Sequence, residues 1–401
     1  MLKGKRIVLG VTGGIAAYKA AELTRELIRR GAAVKVVMTE NATEFITSLT
    51  MQTLSGNPVY RELFSLATDN TIPHISLAEE ADVVVVAPAT ANCLGKVAAG
   101  IADDLLTALI MATRAPVLFC PSMNVNMLAS AAVQANIELL RARGYTVMAP
   151  ESGPLACRTE GAGRLPDPAV IADEIESILT EKDLAGECIL VTAGPTQEPF
   201  DPVRYITNYS SGKMGYALAR AAQRRGANVI LVSGPASLPV PPDVEFVSVS
   251  SACQMRDAVM KRLERATVII KAAAVADYRP VERSEAKIKK REGTLTLVLE
   301  RNPDIIAEIG RQKGQRILVG FAMESHSLIE NARAKLAEKN MDFIVANDLS
   351  QPGAGFQHDT NIIKILHRDG TIEEYPCMEK SAVADIILDR VKDALARRRG
   401  G

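Results

Sequence analysis

The feature that most constrains this chain is an alternation, made twice over, of short continuously apolar runs with longer amphipathic ones. In the first half the apolar runs are Arg6–Val11, Ala33–Met38, Asp82–Ala87, Pro116–Cys120 and Tyr145–Ala149. Helical stretches lie between them, such as Ile15–Arg30, in which Leu23 and Leu27 share a face. Gly31 follows, a residue type suited to a left-handed helix cap. Apolar strands without polar alternation are covered on both faces, and strands separated by helices run parallel. The expected fold class is therefore α/β, built on Rossmann-like parallel sheets.

The pattern restarts after Glu181–Glu187, a polar connector, with strands expected at Cys188–Thr192, Asn228–Val232, Thr267–Lys271, Ile317–Phe321 and Asp342–Ala346. A chain of 401 residues is long for one core. Two domains are expected, 1–180 and 188–401, joined by 181–187. Arg29-Arg30-Gly31-Ala32-Ala33-Val34 matches Arg224-Arg225-Gly226-Ala227-Asn228-Val229 at five of six positions. Shared ancestry and a common helix-to-strand turn both explain this echo. Gly14 to Gly31 spans 17 residues but Gly194 to Gly226 spans 32, so the second half carries an insertion of about 15. It falls beyond a strand's carboxyl end, where ligands of such sheets bind. Asn361–Leu366 and Thr371–Tyr375 read as a hairpin turning at Asp369-Gly370.

Composition excludes several classes. Lys+Arg and Asp+Glu balance at 47 each, against a global polyanion-binding role. Aromatic residues are 4% with no Trp, against base-stacking platforms. The six cysteines are scattered without a CxxC pair, as in a reducing cytosol, and suggest no zinc site. Met1–Ala20 superficially resembles a signal peptide, but its apolar part is broken by Thr12, Gly13 and Gly14, and a strand-loop-helix explains it better. No apolar run reaches the ~18–20 residues of a membrane span. The expectation is a cytoplasmic protein with neither nucleic-acid nor membrane partners.

The first loop, Thr12-Gly13-Gly14, lets backbone approach a ligand and opens a helix whose N–H groups suit phosphate. The dinucleotide fingerprint is absent, and Thr39 ends the second strand where an acid would grip an NAD ribose. Thr90-Ala91-Asn92 follows the third strand and Pro121-Ser122-Met123-Asn124 the fourth. His74 and Cys157 complete the set, the latter within the Gly-rich segment Pro154–Arg164. Singly, His74 also reads as a surface or core histidine and Cys157 as a buried thiol.

GVTGGIAAYK, HISL, PATANCLGKVAAGIADDLL, PSMN and ACRTEGAGRLP together resemble the flavin-containing cysteine decarboxylases, specifically phosphopantothenoylcysteine decarboxylase, over roughly Lys5–Pro168. The resemblance implies a flavodoxin-like domain holding FMN near Thr12, Gly13, Gly14, Thr39, Thr90 and Asn92. It assigns His74 to catalysis, Asn124 to the substrate carboxylate and Cys157 to proton donation. Such chemistry has a reason: a cysteine carboxylate has no electron sink, so direct loss of CO2 leaves an unstabilised carbanion. Oxidation of CH2–SH to a thioaldehyde by flavin creates the sink, and an acid then protonates the product. The family commonly shows Ala-Cys-Gly where this chain has Ala156-Cys157-Arg158.

In the second half the insertion reads DPVRYITNYSSGKMG. Gly212-Lys213 is not a P-loop, because Thr207 stands at the required glycine and Met214 at the hydroxyl position. AAAVADY at 272–278, the basic run Lys287-Ile288-Lys289-Lys290, Asn302-Pro303-Asp304-Ile305, the Gly320-Phe321 strand end, and Lys335 with Lys339 follow. With the insertion they resemble phosphopantothenate–cysteine ligase over roughly Glu187–Lys392. The two families occur fused in this order in bacteria. The resemblance implies CTP activating 4′-phosphopantothenate as an acyl-cytidylate, which cysteine then attacks. Arg204 and Asn208 would hold that intermediate and Lys287 would stabilise it. CTP would contact Lys271, Ala272, Ala273, Asp277, Lys287, Pro303, Asp304, Ile305, Ile306, Phe321, Lys335 and Lys339, with Mg2+ or Mn2+ at Asp277. A carboxylate is a poor electrophile, and cations with a metal meet the charge built at phosphorus. It also implies homo-oligomers, trimeric through the first domain and dimeric through the second. A two-domain flavin or nicotinamide oxidoreductase, or a flavoprotein that has lost its chemistry, remain as alternatives.

Overall fold

The computed structural model describes residues 2–64, 72–154, 160–289, 294–324, 328–348 and 358–399. They form two compact units, Met1–Thr180 and Glu181–Gly401. In the first, the strands β1 (Arg6–Val11), β2 (Ala33–Met38), β3 (Val59–Tyr60), β4 (Val83–Ala89), β5 (Val117–Pro121) and β6 (Thr146–Val147) make one parallel sheet ordered β3-β2-β1-β4-β5-β6. The first-unit helices are α1 (Tyr18–Arg29), α2 (Ser48–Ser55), α3 (Pro73–Glu80), α4 (Ala91–Ala99), α5 (Leu105–Ala112), α6 (Val125–Ala129), α7 (Ala131–Ala142) and α8 (Pro168–Leu179). A hairpin of β7 (Glu151–Pro154) and β8 (Glu160–Arg164) precedes α8.

The apolar strands serve two cores at once. Leu9, Val83 and Val85 pack with Leu23, Leu27 and Ile171 on one face. Val8, Val84 and Val86 pack with Leu94, Leu109 and Phe119 on the other. Successive side chains point to opposite faces, so an unbroken run of valines is what a doubly covered strand needs. Without the two-residue edge strand β3 the order is flavodoxin-like; with it, the order is that of a dinucleotide fold. Either way the winding reverses between β1 and β4, which opens a crevice at their carboxyl ends.

The second unit repeats the plan. Its main strands are β9 (Cys188–Ala193), β12 (Asn228–Ser233), β13 (Val244–Ser248), β14 (Val268–Lys271), β17 (Ile317–Glu324), β18 (Phe343–Asp348), β19 (Thr360–His367) and β20 (Ile372–Glu379), in the order β13-β12-β9-β14-β17-β18-β19-β20. Two antiparallel ribbons stand apart from this sheet, β10 (Gln197–Pro199) with β11 (Tyr205–Thr207) and β15 (Tyr278–Pro280) with β16 (Leu299–Arg301). The helices are α9 (Lys213–Arg224), α10 (Ala252–Met260), α11 (Ile305–Arg311), α12 (Leu328–Glu338) and α13 (Lys380–Arg399). The switch point lies between β9 and β14.

The expected hairpin is present, with Gly370 at φ +90°, and it extends the main sheet: β19 pairs antiparallel with β18. The expected helix Ile15–Arg30 begins as a 3-10 turn at Ile15–Ala17 and becomes α only at Tyr18. Phe321 lies within β17 rather than at its end, because β18 continues the ladder as far as Glu324 with Asp348. The connector packs on the second unit, with Leu184 fully buried and Asp183 paired to Arg225. The echoed sequence forms the same junction twice. Gly31 and Gly226 sit at φ +90° and +86°, a conformation that favours glycine. The arginines before them are half-buried or buried in carboxylate pairs: Arg30 with Glu26 and Asp173, Arg225 with Asp183 and Asp389. No helix among the described residues is long and apolar enough to cross a membrane.

Candidate active sites

In each unit the loops after the first and fourth sheet strands meet at the switch point, stitched by threonine hydroxyls. Thr12 Oγ1 donates to the Pro88 carbonyl at 2.7 Å and accepts from the Thr90 N–H at 3.1 Å. In the second unit Thr192 Oγ1 accepts from Ala273 N–H at 3.2 Å, and Thr196 Oγ1 from Ala276 N–H at 3.0 Å. A buried hydroxyl that both donates and accepts fixes two loops with one atom. Thr12 thus shapes the crevice from beneath.

Two adjoining cavities lie above the first switch point. One, of about 420 Å3, is lined by Gly13, Gly14, Thr90, Ser122, Asn124 and Leu165 among others. The second, of about 460 Å3, is lined by Thr12, Gly13, Thr39, Thr90, Asn92 and Lys96 among others. Together they collect every residue expected around the flavin, and Asn124 as well. A Cβ on Gly13 would stand 2.4 Å from Asn41 Cβ and 2.7 Å from the Asn41 carbonyl oxygen, so only glycine lets these loops close. Exposed apolar side chains, Ile15, Tyr18 and Met127, edge the first cavity and suit a flat, largely apolar ligand.

Asn124 caps α6, its Oδ1 accepting from Asn126 N–H at 2.8 Å. The β7–β8 hairpin leans on this loop: Met123 N–H and Ser122 Oγ both donate to the Gly163 carbonyl. The described ends of the Gly-rich segment are thus arms of a hairpin anchored beside Asn124. Cys157, between those arms, lies outside the described residues. His74 does not line either cavity. It sits in the first turn of α3, which packs on α5, and its Nδ1 is enclosed without a hydrogen-bond partner among the described residues.

Two further cavities adjoin around the second switch point. One, of about 410 Å3, is lined by Lys271, Asp277, Pro303, Asp304, Ile305, Ile306, Phe321, Lys335 and Lys339 among others. Its neighbour, of about 400 Å3, is lined by Asn208, Ala272, Ala273, Ser210 to Gly212 with the first residues of α9, Asn347, Asn361 and Lys380, and shares Lys271, Asp277, Phe321 and Lys335 with the first. Lys335 and Lys339, expected on one helix face, do converge. Asp304 caps α11 and pairs with Lys339 at 2.9 Å. Burial pulls the Lys271 ammonium down to about 8, with Asp304 opposing.

Arg204 and Lys287 do not line either cavity. The Arg204 guanidinium binds Asp201 and donates to the Ile288 carbonyl at 2.8 Å, while Ile288 N–H donates to Asp201 Oδ2 at 3.2 Å. The Arg204 hydrogen bond holds the buried Asp201 carboxyl far below its ordinary range. The pair therefore pins the loop that carries the exposed Lys287. Asp277 is an exposed carboxylate shared by both cavities. Among the described residues no cluster of three or more His, Cys, Asp or Glu is placed to hold a metal.

A family model described as "Flavoprotein" matches residues 1–180, and one described as "DNA/pantothenate metabolism flavoprotein C-terminal domain" matches residues 184–395. The chain is 47% identical to "Coenzyme A biosynthesis bifunctional protein CoaBC" of Bacillus subtilis (strain 168), over 100% of this chain and 99% of that one. It is 47% identical to the protein of the same name from Escherichia coli (strain K12), over 97% of each. The chain belongs to the family of coenzyme A biosynthesis bifunctional proteins. A crystal structure of the C-terminal domain of one such protein is 42% identical and covers 54% of this chain and all of that one, at a TM-score of 0.47.

For a member of this bifunctional family, sequence reading reached the loops at both switch points. It missed Asn347, Asn361 and Lys380, which line the fourth cavity. One signal for Lys380 was available. A lysine opening a helix opposes the macrodipole, and Lys213 and Lys380 both do so.

Proposed function

We propose that the second unit condenses 4′-phosphopantothenate with cysteine at the expense of CTP, and that the first unit decarboxylates the product to 4′-phosphopantetheine with FMN. The observation that carries the reading is that each switch-point crevice gathers the residue types its reaction needs. Around the first, a glycine loop, three threonines and Asn92 surround a pair of cavities with apolar edges, which fits a flavin mononucleotide. Thr12, Gly13, Gly14, Thr39, Thr90 and Asn92 would hold it. When bound, FMN supplies a two-electron oxidation of the substrate's CH2–SH and its later reversal. Asn124, at the cavity wall, orients the substrate carboxylate, and Cys157 gives the proton to the product carbon. His74 lies away from its own chain's cavities, so it serves the flavin crevice of a neighbouring copy in a trimer.

Around the second crevice, Lys271, Lys335 and Lys339 meet the nucleotide phosphates, and Asn208 faces the carboxylate to be activated. Asp277 would hold a magnesium ion, which would offset the negative charge of the phosphates, in keeping with the few protein ligands Mg2+ takes. Arg204 acts as a positioning residue for the Lys287 loop. The oxidoreductase alternative has no comparable support, since neither half carries a dinucleotide fingerprint. Mixed oligomers test the trimer reading: a His74→Asn chain and a Cys157→Ser chain, each inactive in decarboxylation alone, regain part of the activity when reassembled together. Absence of any recovery, with subunit exchange verified by mass, would place His74 in its own chain's site.

A further inference from the structure

Of the lysines that meet the nucleotide phosphates, Lys271 has an unlike setting. It closes β14 at the second switch point and lines both adjoining cavities, the nucleotide cavity and the one that reaches Asn208. Lys339 is paired with Asp304 at 2.9 Å, whereas Lys271 makes no hydrogen bond and no ion pair among the described residues. Its register partner on β17 is Gly320, and Met341 and Ile306 fill the space a side chain would take there. Both also line the nucleotide cavity with Lys271. The charged groups around it are Asp277 after its own strand, Asp304 at the cap of α11, and Lys335 and Lys339 on α12. Across the second cavity stand Lys213 and Lys380, at the starts of α9 and α13. Burial pulls the Lys271 ammonium down to about 8, with Asp304 opposing, Lys339 assisting and Asp277 opposing. A lysine on the wall between two substrate cavities, committed to no partner, is placed to exchange a proton with a ligand that lies across both.

The second half of the ligase reaction poses a proton problem. An α-amino group is mostly protonated at neutral pH, and the ammonium of cysteine has no lone pair with which to attack an acyl-cytidylate. We infer that Lys271 is the general base of this step, taking a proton from the cysteine ammonium where the two cavities join. The inference rests on the ligase reading above. Lys271 Nζ accepts one proton, and the freed nitrogen lone pair forms the C–N bond to the acyl carbon. The bond from that carbon to the phosphate oxygen breaks, and its electron pair leaves with CMP. The second proton passes from nitrogen to solvent as the amide forms. The order of steps lets one lysine serve twice. Triphosphate in the site favours the ammonium, and departure of pyrophosphate removes most of that charge, which frees Lys271 to lose its proton before cysteine is activated.

The test follows single turnovers of the full-length protein with 4′-phosphopantothenate, saturating CTP and Mg2+. Pyrophosphate release is read before cysteine is added, and CMP release after it. Lys271→Met is expected to slow the cysteine step about 100-fold more than the pyrophosphate step. Lys271→Arg keeps the positive charge but cannot take up a proton, and shows the same selective loss; it also serves if Lys271→Met does not fold, as judged by thermal melting. Hydroxylamine, unprotonated at neutral pH, needs no base. In its presence both variants release CMP within a few-fold of the wild-type rate with that nucleophile. With cysteine, the wild-type rate levels off above about pH 8, whereas the variants go on gaining as free amine accumulates. Equal losses with cysteine and hydroxylamine overturn the assignment, since they mark a residue acting by charge or shape. A loss confined to pyrophosphate release overturns it as well and leaves Lys271 to the phosphates alone. Wild type that releases no pyrophosphate fails the ligase reading itself, a distinct outcome.

Discussion

Gly13 and Lys271 show how much a single position decides. Gly13 has no room for a Cβ against Asn41, so Gly13→Ala pushes apart the loops that bound both first-unit cavities. The expected outcome is loss of flavin absorbance from the purified protein, with pyrophosphate release by the second unit within twofold of wild type. Lys271 titrates in reach of physiological pH, because burial pulls it from 10.5 to about 8. Its folded value lies below its unfolded one, so the folded chain binds fewer protons between these values and the cost of burying the charge eases as pH rises through 8. Nucleotide phosphate reverses this preference by favouring the ammonium. CTP binding near pH 8 to 9 is therefore accompanied by proton uptake, read as buffer-dependent heat in calorimetry, and KM for CTP rises above about pH 8. A flat KM across that range would separate Lys271 from the phosphates.

Elements explain what such residues stand on. The junction of first helix, last helix and second strand is built twice with a central arginine. Arg225→Met removes the buried centre of this network, leaving Asp183 with Lys392 and Asp389 exposed to solvent; with that partial compensation the loss falls below the ~3–5 kcal/mol of an uncompensated buried charge, seen as a lower denaturant midpoint for the second unit. Glu26 and Asp183 titrate near 2, chiefly through hydrogen bonds from Arg29 and Arg225 respectively. Both carboxyls sit below their unfolded values, so this stability is complete above about pH 4.5 and drains as pH falls toward 2. A melting temperature that is flat from pH 5 to 3 contradicts the assignment. The Asp201–Arg204 clamp makes a kinetic prediction: Asp201→Asn loosens the Lys287 loop and lowers kcat for pyrophosphate release about tenfold, with KM for CTP little changed. These devices also mark where sequence reading stops. Strands and helix caps were legible because Val-rich runs and Gly31 carry local signals. The ribbons β10–β11 and β15–β16 have three-residue strands held by tertiary pairing, too short for any period. Arg204 read as a ligand for the intermediate, yet it is taken up by Asp201 and the Ile288 carbonyl, a contact 84 residues away that no local pattern reveals.

At the level of the whole molecule, one sheet plan is used twice with different loops, and function follows the loops. The family resemblance located most of the wall of both crevices, since loops at strand ends are contiguous in sequence. The pocket of Asn347, Asn361 and Lys380 was hidden because β18, β19 and α13 assemble it from separate segments. The proposed reactions run in series: the amide made in the second unit is the substrate of the first, and its cysteine carboxylate is what the first removes. The most direct test is to incubate the purified full-length protein with 4′-phosphopantothenate, cysteine, CTP and Mg2+ and identify the pantothenate-derived products by mass spectrometry. The account predicts 4′-phosphopantetheine, with phosphopantothenoylcysteine accumulating instead in Cys157→Ser. Recovery of unchanged 4′-phosphopantothenate from the flavin-loaded wild-type protein would contradict it.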